Sequence, residues 1–302
     1  MVALGALAPV FAMLVLGFVM RRARFPGEGF WAPAERVTYF VLFPALIVST
    51  LSGESLRALP CLAMAIVIAS AIGAMAAATL LAMHLARWPA EQRGSLLQGA
   101  IRMNTYVGIA ACQATWGPEG LAYAAVAIAV IVPLVNVLAV ATLAWYGARD
   151  PTPRAIAGAV FANPLVVACA VGGVLSVSEL PVPSVLADTL AILSRGALPL
   201  GLLAVGASLH FDRLLEFGVT ESLATVGKLV LLPAAGYAVA EALGLEPPAS
   251  AVVITFLALP TAPSAYLLTK QMGGDAAQMS TLIATQTLLA VLTLPFWLGV
   301  GG

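Results

Sequence analysis

Apolar residues recur along this chain in runs separated by short segments that gather Gly, Pro and charge. Each run is close to the roughly 20 residues a helix needs to cross the hydrocarbon of a bilayer. On that rule the pattern predicts ten spans, over 4–20, 34–51, 59–85, 96–115, 121–146, 155–177, 185–209, 222–243, 250–269 and 279–300. The third and fifth exceed the bilayer thickness and are expected to tilt. Composition agrees with the pattern. The chain is 61% hydrophobic and 9% charged, where a soluble domain carries roughly a quarter charged residues, and its mean hydropathy is +1.01. A soluble fold of this size would still need a wetted surface, so the expected class is an all-α polytopic membrane protein.

Basic residues orient the spans. Arg21, Arg22 and Arg24 follow the first span, and Arg36 lies early in the second. Arg87 and Arg93 follow the third, Arg149 and Arg154 the fifth, Arg213 the seventh and Lys270 the ninth, whereas the opposite loops carry only Arg57. The odd-to-even loops are therefore expected to be cytoplasmic, with both termini outside, on the periplasmic face of an inner membrane. "RRAR" follows the first apolar run and nothing basic precedes it, which is the reverse of a signal peptide, so the first span is expected to be retained. Cys61, Cys112 and Cys169 are scattered through apolar spans, with neither metal-ligand spacing nor disulfide logic.

Prolines add an internal regularity. Pro9 and Pro164 lie 155 residues apart, as do Pro44 and Pro199, and the same offset carries Thr105 onto Pro260. It also carries "WGPEG" (116–120) onto "QMGGD" (271–275). Five spans then repeat as five spans, and because five is odd the second copy enters the membrane inverted. The halves are 1–150 and 151–302. In each, the most polar and helix-breaking stretch falls in the fourth span of the repeat: "IRMNTYVGIAAC" and "LALPTAPSAYLL". Proline removes a backbone donor and clashes with the preceding turn. Bare backbone groups survive in hydrocarbon only where they line an enclosed cavity or hold a ligand. Breaks in the fourth and ninth spans that meet near the midplane would thus form a binding site.

"LSRGALPLGLLAVGASL" (193–209) and "LPTAPSAYLLTKQMGGDAAQMSTLIATQTLLAVLTLPFW" (259–297) resemble bacterial members of the auxin efflux carrier family. So do "VTYFVLFPALIVSTL" (37–51), "IRMNTYVGI" (101–109) and "ANPLVVACAVGGVL" (162–175). The resemblance implies ten helices in two inverted halves with helices 4 and 9 broken and crossing. It implies a scaffold of helices 1, 2, 6 and 7, and a transport unit of helices 3–5 and 8–10. It further implies alternating-access transport of organic anions such as malonate, malate or auxin. Family members commonly carry Asn where Ser264 stands, and Gly where Met103 and Tyr106 stand, which would reshape the pocket.

Intramembrane ionisable residues are costly and mark function. Arg102 precedes the first break, Arg195 lies in the seventh span and Lys228 in the eighth, and no acidic residue falls mid-span. That balance favours an anionic substrate. Arg102 would hold a carboxylate through its planar fork or snorkel to the headgroups; Arg195 and Lys228 are expected to snorkel or to bond an opened carbonyl. The candidate substrate-binding set is Arg102, Asn104, Thr105, Tyr106, Pro260, Thr261, Pro263 and Ser264. Gln286 and Thr285 are candidates for a coupling ion or for an interhelical contact. Proton coupling, sodium coupling and uniport stay open. No cofactor, metal or nucleic acid is expected, and a homodimer would form through the scaffold helices. A sodium-coupled bile-acid-type symporter is the alternative, although it should show a glutamate near the ninth-span break. Two distant histidines and the missing mid-span carboxylates leave an enzyme without a nucleophile–base pair, and a channel would need a continuous polar lining.

Overall fold

The structure is a computed structural model that describes residues 2–27, 29–53, 59–146, 163–178, 182–211 and 217–301. The described elements are helices: α1 (Val2–Arg22), α2 (Trp31–Ser52), α3 (Cys61–Leu85), α4 (Ala90–Ile101), α5 (Thr105–Tyr146), α6 (Pro164–Ser178), α7 (Ser184–Ala207), α8 (Val219–Ala242), α9 (Ala249–Ala258), α10 (Ser264–Gln271) and α11 (Ala276–Gly301). Among the described residues, seven helical segments are long and apolar enough to cross a membrane. The protein is a helical polytopic membrane protein.

Ten spans were expected, and the difference from seven has local causes. The stretch Ala90–Tyr146 counts as one segment, although α4 ends before a non-helical stretch and α5 is itself interrupted at Gly117 (φ 61°, ψ −143°). The expected ninth span is split between the short helices α9 and α10. The first part of the expected sixth span, the 150/151 boundary, and Arg57, Arg149, Arg154 and Arg213 lie outside the described residues.

Prolines shape the long helices without ending them. Thr38–Leu42 in α2 and Gly227–Leu231 in α8 are π-helical turns, each just before a proline, Pro44 and Pro233. Pro233 has no N–H for the Leu229 carbonyl one turn back. The Trp297 indole N–H donates to that carbonyl instead, at 2.8 Å. An orphan created on α8 is thereby met from α11.

Every residue of α9 is buried, whereas α1 and α3 present Val15, Leu16, Leu62 and Leu81 outward, as a lipid-facing surface requires. Helix α1 packs on α7, and α2 packs on α6 and α7. Helices α3, α5, α8 and α11 surround α9. The α1–α7 crossing is made by glycine on both sides: a Cβ at Gly17 would overlap the Leu203 backbone, and one at Gly206 the Leu14 backbone. Small residues let membrane helices approach this closely, so that backbone packing replaces the hydrophobic drive that lipid cannot supply.

Gly206→Leu should therefore cost at least about 2 kcal/mol by overpacking, seen as a lower melting temperature of the purified protein in detergent. Gly73→Ala, in α3 where a Cβ would meet no heavy atom within 4 Å, should leave melting unchanged or slightly raised.

Candidate functional site

Two helix breaks lie in contact. Helix α4 ends at Ile101, Arg102 is extended (φ −83°, ψ 141°), and α5 starts at Thr105. Helix α9 ends at Ala258, Leu259 is extended (φ −65°, ψ 147°), and α10 starts at Ser264. The Asn104 N–H donates to the Pro260 carbonyl at 2.8 Å, which joins one break to the other. The Asn104 side-chain oxygen accepts from the Val107 N–H (3.3 Å) and so caps α5. Its Nδ2 is buried with no partner among the described residues.

The groups opened by the breaks are largely consumed by the protein. Thr261, fully buried, donates its N–H (3.0 Å) and its hydroxyl (2.8 Å) to Gln286 Oε1. Gln286 Nε2 in turn donates to the Gly99 carbonyl at 2.8 Å, the acceptor that an unbroken α4 would have offered to residue 103. One amide on α11 thus closes both breaks. Of the two roles expected for Gln286, the structure displays the interhelical contact. Thr285 beside it has a buried hydroxyl without a partner among the described residues.

Arg102 remains. It is half-buried: Nη1 donates to Gln98 Oε1 (3.2 Å) and Nη2 to Ser264 Oγ (3.4 Å). Gln98 Nε2 donates to Thr269 Oγ1 at 2.8 Å, so the guanidinium is held by a chain of side chains reaching from α4 to α10. Two of its five N–H donors are accounted for in this way. The guanidinium borders a cavity of about 50 Å³ with Tyr39, Thr105, Asn136, Asn163 and Ser264. That volume suits one or two waters and is smaller than an organic ligand needs.

The candidate residues therefore divide. Arg102, Thr105 and Ser264 share the cavity wall. Asn104, Pro260 and Thr261 lie where the breaks are stitched together, and Thr261 is unavailable to a ligand in this conformation. Tyr106 turns toward α2 and stacks on Phe43, with ring centroids 4.3 Å apart. Pro263 faces a larger cavity of about 440 Å³, lined also by Glu35, Ser208, His210, Tyr266 and Ser280. The expectation of bare backbone awaiting a ligand is corrected in part. Protein groups take the Gly99, Leu257 and Pro260 carbonyls and the Thr261 amide.

The profile of a family described as membrane transport protein matches residues 156–298, the half that carries α9, the Pro260–Pro263 break and Gln286. Over those residues the chain is similar to this family, that of the auxin efflux carriers. No curated protein matches the chain. Four residues of the site, Gln98, Tyr39, Asn136 and Asn163, were not among those expected from the sequence. Gln98 alone carried a signal, standing one helical turn before Arg102 in an otherwise apolar run.

Gln286→Leu leaves the Thr261 amide and the Gly99 carbonyl unmet. At about 1–3 kcal/mol for each buried group, the variant should melt far below the parent or fail to fold. Thr285→Val, which removes a hydroxyl with no hydrogen-bond partner among the described residues, should melt at the parent temperature.

Proposed function

We propose that this membrane transporter is a secondary carrier of small organic anions, mono- or dicarboxylates such as malonate or malate, that works by alternating access. The observation that carries this function is Arg102. A cation sits at the crossing of two broken helices, braced by Gln98 and Ser264, with donors to spare and polar groups around it. A carboxylate accepts two N–H bonds from such a fork. In carriers of this design the substrate binds between discontinuous helices near the midplane. The roughly 50 Å³ beside Arg102 requires that helices separate to admit the anion, and the cavity of about 440 Å³ lined by Pro263, the neighbour of Ser264, would be its approach.

We further propose ten spans in two inverted halves of five, both termini on the periplasmic side of the inner membrane, and a homodimer through the scaffold. The 155-residue offset finds support in packing. Gly17 lies against Leu203, and Gly172 lies against Val48; the offset carries Gly17 onto Gly172 and Val48 onto Leu203. The α1–α7 contact is thus repeated as the α6–α2 contact. Those four helices make the scaffold of this proposal, and α3–α5 with α8–α11 make the transport unit. The bile-acid-type alternative gains nothing here, because residues 249–271 contain no acidic side chain.

Thermal-shift titration of the purified protein with malonate, malate, acetate and indole-3-acetate tests the proposal. One or more of these anions should raise the melting temperature. Arg102→Gln should weaken that binding by roughly 10-fold or more, the worth of a charge-assisted pair, and Arg102→Lys by less. Equal, small effects of both substitutions would remove Arg102 from the site.

A further inference from the structure

Lys228 is an uncommon residue to find where it stands. It lies in the π-helical turn Gly227–Leu231 of α8 and is fully buried. Of the two expectations for it, a snorkelling chain or a bond to an opened carbonyl, the inward-pointing side chain takes the second. Its Nζ donates to the Leu257 carbonyl at 2.8 Å. Leu257 is the penultimate residue of α9. In an unbroken helix its carbonyl would accept from the Thr261 N–H, but that amide is bound to Gln286. Lys228 therefore takes an acceptor that the break set free, at the end of a half-helix where the peptide dipoles leave negative potential.

The local structure is built for this contact. A π turn inserts one residue into the helical ladder and re-aims the side chains on it. Gly236, further along α8, brings the two helices together: a Cβ there would overlap the Leu257 side chain. The turn packs against α4, α9 and α11, and α8 packs against α3. Helices α3, α9 and α11 contain no acidic residue. On α8, Glu221 accepts from Gln278 Nε2 (2.6 Å), Gly218 N–H (2.9 Å) and the Thr220 hydroxyl (3.0 Å), and Glu241 is exposed at the far end. Glu91 on α4 is exposed as well. Among the described residues, the Lys228 ammonium has a backbone carbonyl as its hydrogen-bond partner.

Carriers of this architecture bind coupling sodium with the C-terminal carbonyls of half-helices. A lysine ammonium brings the same unit charge and three donors to that kind of place, on a tether. We propose that Lys228 is a resident cation standing where a coupling sodium ion would bind, so that the carrier moves its anion without sodium. This rests on the transport function proposed for the same two breaks. Lys228 is a positioning residue in it: it holds the end of α9, and so the Pro260–Pro263 break, in register against α4.

Melting of the purified full-length protein, without any substrate, separates this proposal from the choice of anion. Melting is recorded in sodium chloride, potassium chloride and choline chloride at equal ionic strength. The parent should melt at one temperature in all three. Lys228→Ser, which removes the charge and opens room for an ion, should melt about 5 °C lower in choline and recover much of that loss in sodium, because an ion that binds only the folded state stabilises it. Lys228→Arg should remain sodium-insensitive. Three outcomes would overturn the proposal: a parent stabilised by sodium over choline, a Lys228→Ser protein that melts like the parent, or one that falls and ignores sodium. Should Lys228→Ser fail to fold, Lys228→Gln and the parent in the three salts still decide it.

Discussion

A backbone donor or acceptor placed in hydrocarbon must find a partner inside the protein, because the surrounding lipid offers none. Two stretches of this membrane transporter, 102–104 and 259–263, interrupt the helical ladder. The breaks free the carbonyls of Gly99 and Leu257 and the amide of Thr261, and each is met by a side chain from a different helix: Gln286 of α11 meets Gly99 and Thr261, and Lys228 of α8 meets Leu257. The Pro260 carbonyl accepts from Asn104 across the crossing. Main-chain bonds that an ordinary helix keeps to itself have become ties between α4, α8, α9 and α11. The rest of the packing is organised around them.

The same constraint assigns different work to the polar residues. Those that stitch the breaks, Gln286, Thr261 and Lys228, are fully buried and bonded to the opened backbone or to each other, which makes them structural in this conformation. Arg102 is half-buried, braced by two partners, and keeps donors directed at a small polar cavity. A group that binds a transported anion must be able to release its other bonds when the anion arrives, and long contacts of 3.2 and 3.4 Å to Gln98 and Ser264 are easily exchanged. Glycine-mediated packing of α1 on α7 and of α2 on α6 brings the backbones of these four helices into close contact.

Much of this was legible in the chain because its signals are local. An apolar run declares a span, and Pro260 and Pro263 declare a break wherever the helix goes. The polar stretch 101–106 pointed to the second break, and the two do meet. What the chain hid depends on distance. Nothing near Gln286 announces that its partners lie 25 and 187 residues away. Lys228 could be read as snorkelling or as bonding an opened carbonyl, because what decides between them is a π turn and a carbonyl freed on another helix. Thr261 looked available to a ligand because its flanking prolines are visible in the sequence and its partner is not. The ten-span pattern likewise treated α9 and α10 as one element, since hydropathy does not register a break of five residues.

The central claim is that an anion binds where the two broken helices cross, and labelling at that point tests it most directly. In a background with Cys61, Cys112 and Cys169 replaced, Ser264→Cys places a reactive thiol beside Arg102. The rate of its modification in inside-out vesicles is measured with increasing concentrations of the carboxylate that the carrier moves. The account predicts protection that saturates with the same half-maximal concentration as transport. A thiol that reacts at an unchanged rate while transport is saturated would place the anion elsewhere and contradict it.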